Sequence, residues 1–189
     1  MMEIRAEKLY KAYDGKTVLD GVSFTVSAGI VRLAGRSGIG KTTLLRILLG
    51  LTAPDSGQTN AGELRWAAVF QEDRLLEGQS AEGNLRFALG RKYDRCEAHA
   101  LLSRLGLGDV GDKRVREYSG GMKRRLALAR ALLADSDALA LDEPFTGLDS
   151  VNRAAALECI LEAAKTKPVF LASHEDIPLP PGTPEIHLG

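Results

Sequence analysis

The run Gly35-Arg36-Ser37-Gly38-Ile39-Gly40-Lys41-Thr42-Thr43 crowds glycines, a lysine and hydroxyls into one short stretch. Their order fits G-x-x-x-x-G-K-[ST], a pattern that cradles phosphate. Gly35, Gly38 and Gly40 permit the tight turn that aims backbone N–H groups inward. Lys41 is placed to reach the β- and γ-phosphates of a nucleotide, and the Thr42 hydroxyl suits Mg²⁺. Ser37 and Thr43 complete the candidate set. With average composition, a chain of this length meets the pattern by accident on the order of once in a hundred. Nucleotide binding is therefore the working premise.

Other groups able to do chemistry are scattered downstream. Asp142-Glu143 ends the apolar run 138–141. An acidic pair at the carboxyl end of a buried strand meets the nucleotide edge of a parallel sheet, or else it caps a helix. Ser119-Gly120-Gly121 precedes a long apolar-striped segment: Ser119 suits a helix N-cap, and the glycines let a phosphate approach a second helix N-terminus. Alone, this is an ordinary helix start. Tyr13 is either a surface tyrosine at a turn or a ring for an adenine to stack on.

These groups need elements to hold them. A strand over residues 30–34 enters the glycine-rich loop, and a helix over 41–49 leaves it, with Leu44, Leu45 and Leu48 on one face. Residues 4–10 and 17–26 read as short strands separated by Asp14-Gly15, an antiparallel flap beside the loop. The breaker-rich 51–57 ends the loop helix, and a strand over 64–70 stops at Gln71. Residues 82–89 and 95–105 read as amphipathic helices with glycines at their ends. They form a helical lobe, about 72–118, inserted in an α/β core. A helix over 123–134, strands over 138–141 and 168–172, and a last strand over 185–188 complete the expected order.

Composition bounds the class. One domain of 1–189 suits the length, and 44% hydrophobic residues suffice for a sizeable core. The formal charge is zero, which argues against nucleic acid as the main partner. Cys96 and Cys159 match no metal-ligand spacing and read as free thiols of a reducing compartment such as the cytosol. Arg130, Asp135, Asp137 and Asp142 interrupt the most apolar region, so no membrane span and no export signal are expected.

Taken together, the motifs resemble the nucleotide-binding domain of ABC (ATP-binding cassette) transporters over nearly the whole chain. The Walker A motif is matched at residues 35–43, the Q-loop glutamine at Gln71 and the signature at Ser119-Gly120-Gly121. Walker B is matched at 138–142, the catalytic glutamate at Glu143, the D-loop at Gly147-Leu148-Asp149 and the switch histidine at His174. Tyr13 falls where the family carries its adenine-stacking aromatic. The resemblance implies a P-loop NTPase core with a parallel sheet, an N-terminal antiparallel β subdomain and an inserted helical subdomain. It implies ATP and Mg²⁺ as cofactors, with Asp142, Thr42 and Gln71 toward the metal. Glu143 would orient or deprotonate the attacking water, and His174 would hydrogen-bond the γ-phosphate. Ser119 with its glycines would act in trans, on the opposite subunit of a head-to-tail pair closed by ATP. The implied partners are that second cassette, as a homodimer, and an integral membrane permease docking near Gln71. Leu75, Leu76 and Phe87 are candidates for that groove, although the lobe's own core is the better expectation. The implied location is the cytoplasmic face of the membrane.

Some features depart from the family pattern. Tyr118 and Met122 replace the outer residues of the usual Leu-Ser-Gly-Gly-Gln signature, and methionine lacks the amide. Arg32 takes a strand position usually small and apolar. Residues 177–184 are too proline-rich for the helix expected after His174. The runs 113–116 and 123–125 read as solvated basic faces, with Arg124 and Arg125 near enough to the signature to attract ATP. The 70–76 run is similar to importer ATPases of the nitrate, sulfonate and taurine type. A soluble, non-transport ABC ATPase shares the motifs, whereas a P-loop small-molecule kinase shares only the loop.

Overall fold

Leu139 and Leu141 point to one side of a short strand while Ala138 and Ala140 point to the other, and all four are buried. A strand covered on both faces belongs to the interior of a parallel sheet, and the computed structural model builds one around it. The structure describes residues 3–175 and 177–188; the expected unit of 1–189 also takes in residues 1, 2, 176 and 189, which lie outside the described residues.

The chain begins with β1 (Ile4–Tyr13) and β2 (Lys16–Val26), paired antiparallel. Their turn puts Asp14 and Gly15 at φ of 49° and 78°, the double left-handed geometry that matches strand twist. β3 (Gly29–Ala34) leads through the glycine-rich loop into α1 (Lys41–Leu48), and β4 (Ser56–Thr59) then returns to the free side of β1. After β5 (Trp66–Val69) come the helices α2 (Ala81–Leu89) and α3 (Arg95–Arg104), then α4 (Gly120–Leu133), β6 (Ala138–Asp142), α5 (Ser150–Ala164), β7 (Pro168–Ala172) and β8 (Glu185–His187). The first sheet has the order β2-β1-β4. The second is parallel throughout, in the order β5-β6-β7-β3-β8.

The two faces of the parallel sheet carry two separate apolar clusters. Leu139, Leu141, Val169 and Leu171 pack with α4, α5 and the α2–α3 region through Leu126, Ile160, Leu85 and Leu102. Ala138, Ala140, Phe170 and Ala172 pack with α1 and the β1–β2 hairpin through Leu44, Leu48, Leu9 and Leu19. Truncating one such leucine to alanine costs about 2–5 kcal/mol. An exposed ion pair such as Arg104–Glu162, at 2.7 Å, contributes about 0–1 kcal/mol. Packing against the sheet, rather than surface charge, holds the molecule together.

Three sequence expectations need correction. α4 starts at Gly120, not at 123, because the Ser119 hydroxyl accepts the Met122 N–H at 3.2 Å and draws both glycines into the first turn. Arg124 and Arg125 are buried within that helix rather than solvated. The candidates Leu75, Leu76 and Phe87 divide: Leu75 packs on the core, while Leu76 is exposed and Phe87 is 76% exposed, on the face of α2 opposite Leu85. Arg32 is accommodated by an ion pair with Glu185 on the neighbouring β8, at 3.2 Å.

Candidate nucleotide site

α1 starts differently from the other helices. Ser80, Asp94, Ser119 and Asp149 each cap their helix with a side-chain oxygen on a backbone N–H. The N-cap of α1 is Gly40, at φ 119°, with no side-chain cap. A Cβ at Gly40 would stand 2.4 Å from the Val18 carbonyl of β2, so the hairpin presses the loop into shape and only glycine fits. Uncapped first-turn N–H groups and the helix dipole together favour an anion.

Lys41 is 7% exposed. Its ammonium folds back over the loop and donates to the carbonyls of Gly35 at 2.8 Å and Arg36 at 3.1 Å. Next to it, the Thr42 hydroxyl donates to Asp142 at 2.6 Å, joining the first turn of α1 to the end of β6. Asp142 is 2% exposed, and burial pushes its carboxyl up from the ordinary range, with the Thr42 hydrogen bond and the Lys41 charge opposing that rise. A hydroxyl and a buried carboxylate side by side form the hard-oxygen donor set that Mg²⁺ takes.

Glu143 follows in left-handed backbone, at φ 52°. Strain of this kind costs of order 1–3 kcal/mol and persists where surroundings enforce it; here the Glu143 N–H is fixed to the Ala172 carbonyl at 2.8 Å. The turn brings the Glu143 carboxylate to His174 at the end of β7. It accepts the His174 backbone N–H at 3.1 Å and lies 2.9 Å from Nδ1. That carboxylate, by its hydrogen bond first and its charge second, raises the imidazole above its ordinary pKa.

A cleft of about 150 Å³ is lined by the loop residues Ser37, Gly38, Gly40, Lys41, Thr42 and Thr43, together with Gln71, Asp142, Glu143 and Val18. Sequence reading anticipated each of these except Val18, whose contribution comes from the hairpin folding over the loop. The structure does not bring Ser119, Gly120, Gly121 or Asp149 to that cleft. They gather elsewhere: a Cβ on Gly121 would lie 2.8 Å from the Gly147 carbonyl, and Asp149 caps α5 through Asn152 at 2.8 Å. Tyr13 is 44% exposed, with the Lys11 ammonium 5.4 Å from its ring centre and Asp55 holding that ammonium at 2.6 Å.

The ABC transporter family pattern matches residues 19–146, more than half of the chain. The chain belongs to the ABC transporter family. This cassette is 37% identical, over 90% of its length and 72% of the relative's, to the aliphatic sulfonates import ATP-binding protein of Pseudomonas syringae pv. syringae. It is 39% identical, over 90% of its length and 62% of the relative's, to the Nod factor export ATP-binding protein I of Paraburkholderia xenovorans. A solved structure described as an ABC transporter ATP-binding protein from Pyrococcus furiosus superposes with a TM-score of 0.88 at 26% identity, covering 99% of this chain and 98% of that one. The cassette is thus the ATP-binding subunit that powers an ABC transporter, an ATPase that associates with a transporter complex. No helix among the described residues is long and apolar enough to cross a membrane.

Proposed function

We propose that this cassette hydrolyses ATP as one half of a head-to-tail pair, and that closing and reopening of the pair drives a membrane-embedded permease in the uptake of a solute. The observation that carries the reading is a separation within one chain. The loop, Asp142, Glu143, Gln71 and His174 lie around or beside one cleft, while Ser119 and Asp149 stand exposed outside it. A second copy supplies Ser119, Gly120 and Gly121 to the open side of the bound nucleotide.

In this reading Lys41 exchanges its two loop carbonyls for the β- and γ-phosphate oxygens, and the α1 N–H groups take the remaining phosphate charge. Thr42 and Asp142 hold Mg²⁺, which when bound neutralises charge developing on the phosphates. Gln71 approaches the metal and the water from the start of the α2–α3 region. Glu143 orients the attacking water and accepts its proton, and His174 turns its imidazole to the γ-phosphate. Tyr13 stacks on the adenine. Hydrolysis removes the γ-phosphate contacts that only the closed pair satisfies, so the pair opens.

The permease docks at the cytoplasmic face of the membrane, on a groove lined by Arg46, Leu51, Gln71 and Arg74, with the exposed Leu76 and Phe87 as further apolar contacts. Uptake, and a sulfonate-like solute, are supported by the name of the Pseudomonas syringae relative. The Paraburkholderia xenovorans relative, named for export, supports the opposite direction.

The test is Glu143→Gln. The variant is expected to bind Mg²⁺-ATP, to turn over at least about 100-fold more slowly than the unmodified chain, and to accumulate as a dimer by light scattering. Unchanged turnover, or a monomer at saturating ATP, would overturn the reading.

A further inference from the structure

Between the end of β5 and Leu76 the chain forms neither helix nor strand, so the carbonyls there need partners from elsewhere. α4 supplies them. Arg124, 6% exposed, donates one guanidinium nitrogen to the Phe70 carbonyl and the other to the Gln71 carbonyl at 2.7 Å, and lies 3.1 Å from the Asp73 carboxylate. Two turns on, Arg130 donates to the carbonyls of Asp73 and Arg74, each at 2.8 Å. Arg74 itself takes φ 47°, a left-handed backbone that a non-glycine residue holds only when its surroundings enforce it.

The base of this grip is rigid. Arg125, the next residue, points away from the Gln71 loop and donates to the carbonyls of Leu105 at 2.7 Å and Gly106 at 3.0 Å and to the Asn152 amide oxygen at 2.6 Å. The first turns of α4 are therefore pinned to α3 and α5 on one side and hold the Gln71 loop on the other. A planar guanidinium can fork across successive carbonyls in a way that a single ammonium cannot.

We propose that Arg124 is a positioning residue for ATP hydrolysis: by fixing the Phe70 and Gln71 carbonyls and the Asp73 carboxylate, it sets where the Gln71 side chain enters the nucleotide cleft. The proposal rests on the reading of Gln71 given above. The hydrogen bonds of Arg124 go to the Gln71 loop and not to the phosphate loop, so its main effect falls on the chemical step, with its charge also felt at Asp142.

The test is steady-state ATPase of the full chain in four variants: Arg124→Ala, Arg124→Lys, Gln71→Ala and the double Arg124→Ala/Gln71→Ala. Arg124→Ala is expected to lower kcat about 10- to 100-fold with KM for ATP unchanged within about threefold, the signature of lost positioning. Arg124→Lys should recover part of that loss. In the Gln71→Ala background Arg124→Ala should cost nothing further, because the group it positions is already gone. Equal losses from Arg124→Ala in both backgrounds would assign it a purely structural role and overturn the proposal while leaving Gln71 in place. Full activity of Gln71→Ala would overturn the reading of Gln71 and the proposal with it. Should Arg124→Ala fail to fold, amide exchange of Arg124→Lys decides: faster exchange confined to residues 70–75 supports the grip, and unchanged exchange there overturns it.

Discussion

A methyl group on Gly40 has nowhere to go. It would sit 2.4 Å from the Val18 carbonyl and 3.2 Å from the Leu19 side chain, on backbone at φ 119° that other residues rarely adopt. Gly40→Ala is therefore expected to lose about 2 kcal/mol or more in denaturant unfolding and to weaken ATP binding by calorimetry, since the N–H groups it aims shift with the loop. Normal affinity in a folded Gly40→Ala chain would count against the loop as the phosphate cradle. Lys41, Thr42, Asp142 and Glu143, which line one cleft, were readable as a set from the chain because a phosphate-binding loop and an acidic pair at a strand end have recognisable patterns. Arg124 and Arg125 were not. Their charges suggested solvent, and their actual partners are carbonyls of residues 70, 71, 105 and 106, chosen by tertiary packing. The one hint in the sequence is the run Leu126-Ala127-Leu128-Ala129, apolar all round the helix, which marks the segment that carries both arginines as interior.

Among the elements, strands buried on both faces were the easiest to place. β7 occupies residues 168–172 as expected, since a short apolar run bounded by polar residues leaves little freedom. β5 is shorter than the expected 64–70, because only Trp66–Val69 pairs with β6. A clip outside the sheet fixes where that pairing begins. Arg65 donates its backbone N–H and its Nε to one Asp137 oxygen, at 2.9 and 3.1 Å, and a second guanidinium nitrogen to the other at 2.8 Å. These hydrogen bonds hold the Asp137 carboxyl down at about 2, against an ordinary 3.8. A carboxyl depressed in the folded state stabilises above its unfolded pKa and loses that contribution as pH falls. The clip should therefore be at full strength above about pH 4 and released between about pH 4 and 2. Thermal midpoints measured across that window should fall less steeply for Asp137→Asn than for the unmodified chain; equal slopes would show that the clip does not hold the β5–β6 start.

For the whole molecule, the proposed pairing makes a prediction that neither half-site makes alone. Lys41→Ala disables the cleft of its own chain, and Ser119→Arg disables the cleft of the partner. Each variant alone should be inactive. Mixed, they form pairs in which an intact loop from the Ser119→Arg chain faces an intact Ser119 from the Lys41→Ala chain, and ATPase activity should return. Failure to recover activity on mixing would point to a site completed within one chain. The separation of Ser119 from the cleft shows only in the folded chain, and in the sequence the resemblance of motifs was the one source of the proposed trans arrangement.

The two apolar clusters back onto one sheet, and neighbouring residues of β6 and β7 belong to opposite clusters. The hairpin side cannot melt without stripping one face of strands whose other face anchors α4 and α5. Unfolding is accordingly cooperative across both sides, and the enthalpy of the transition belongs to the chain as a whole. The sheet thus serves as one bed for the helices packed on both of its sides.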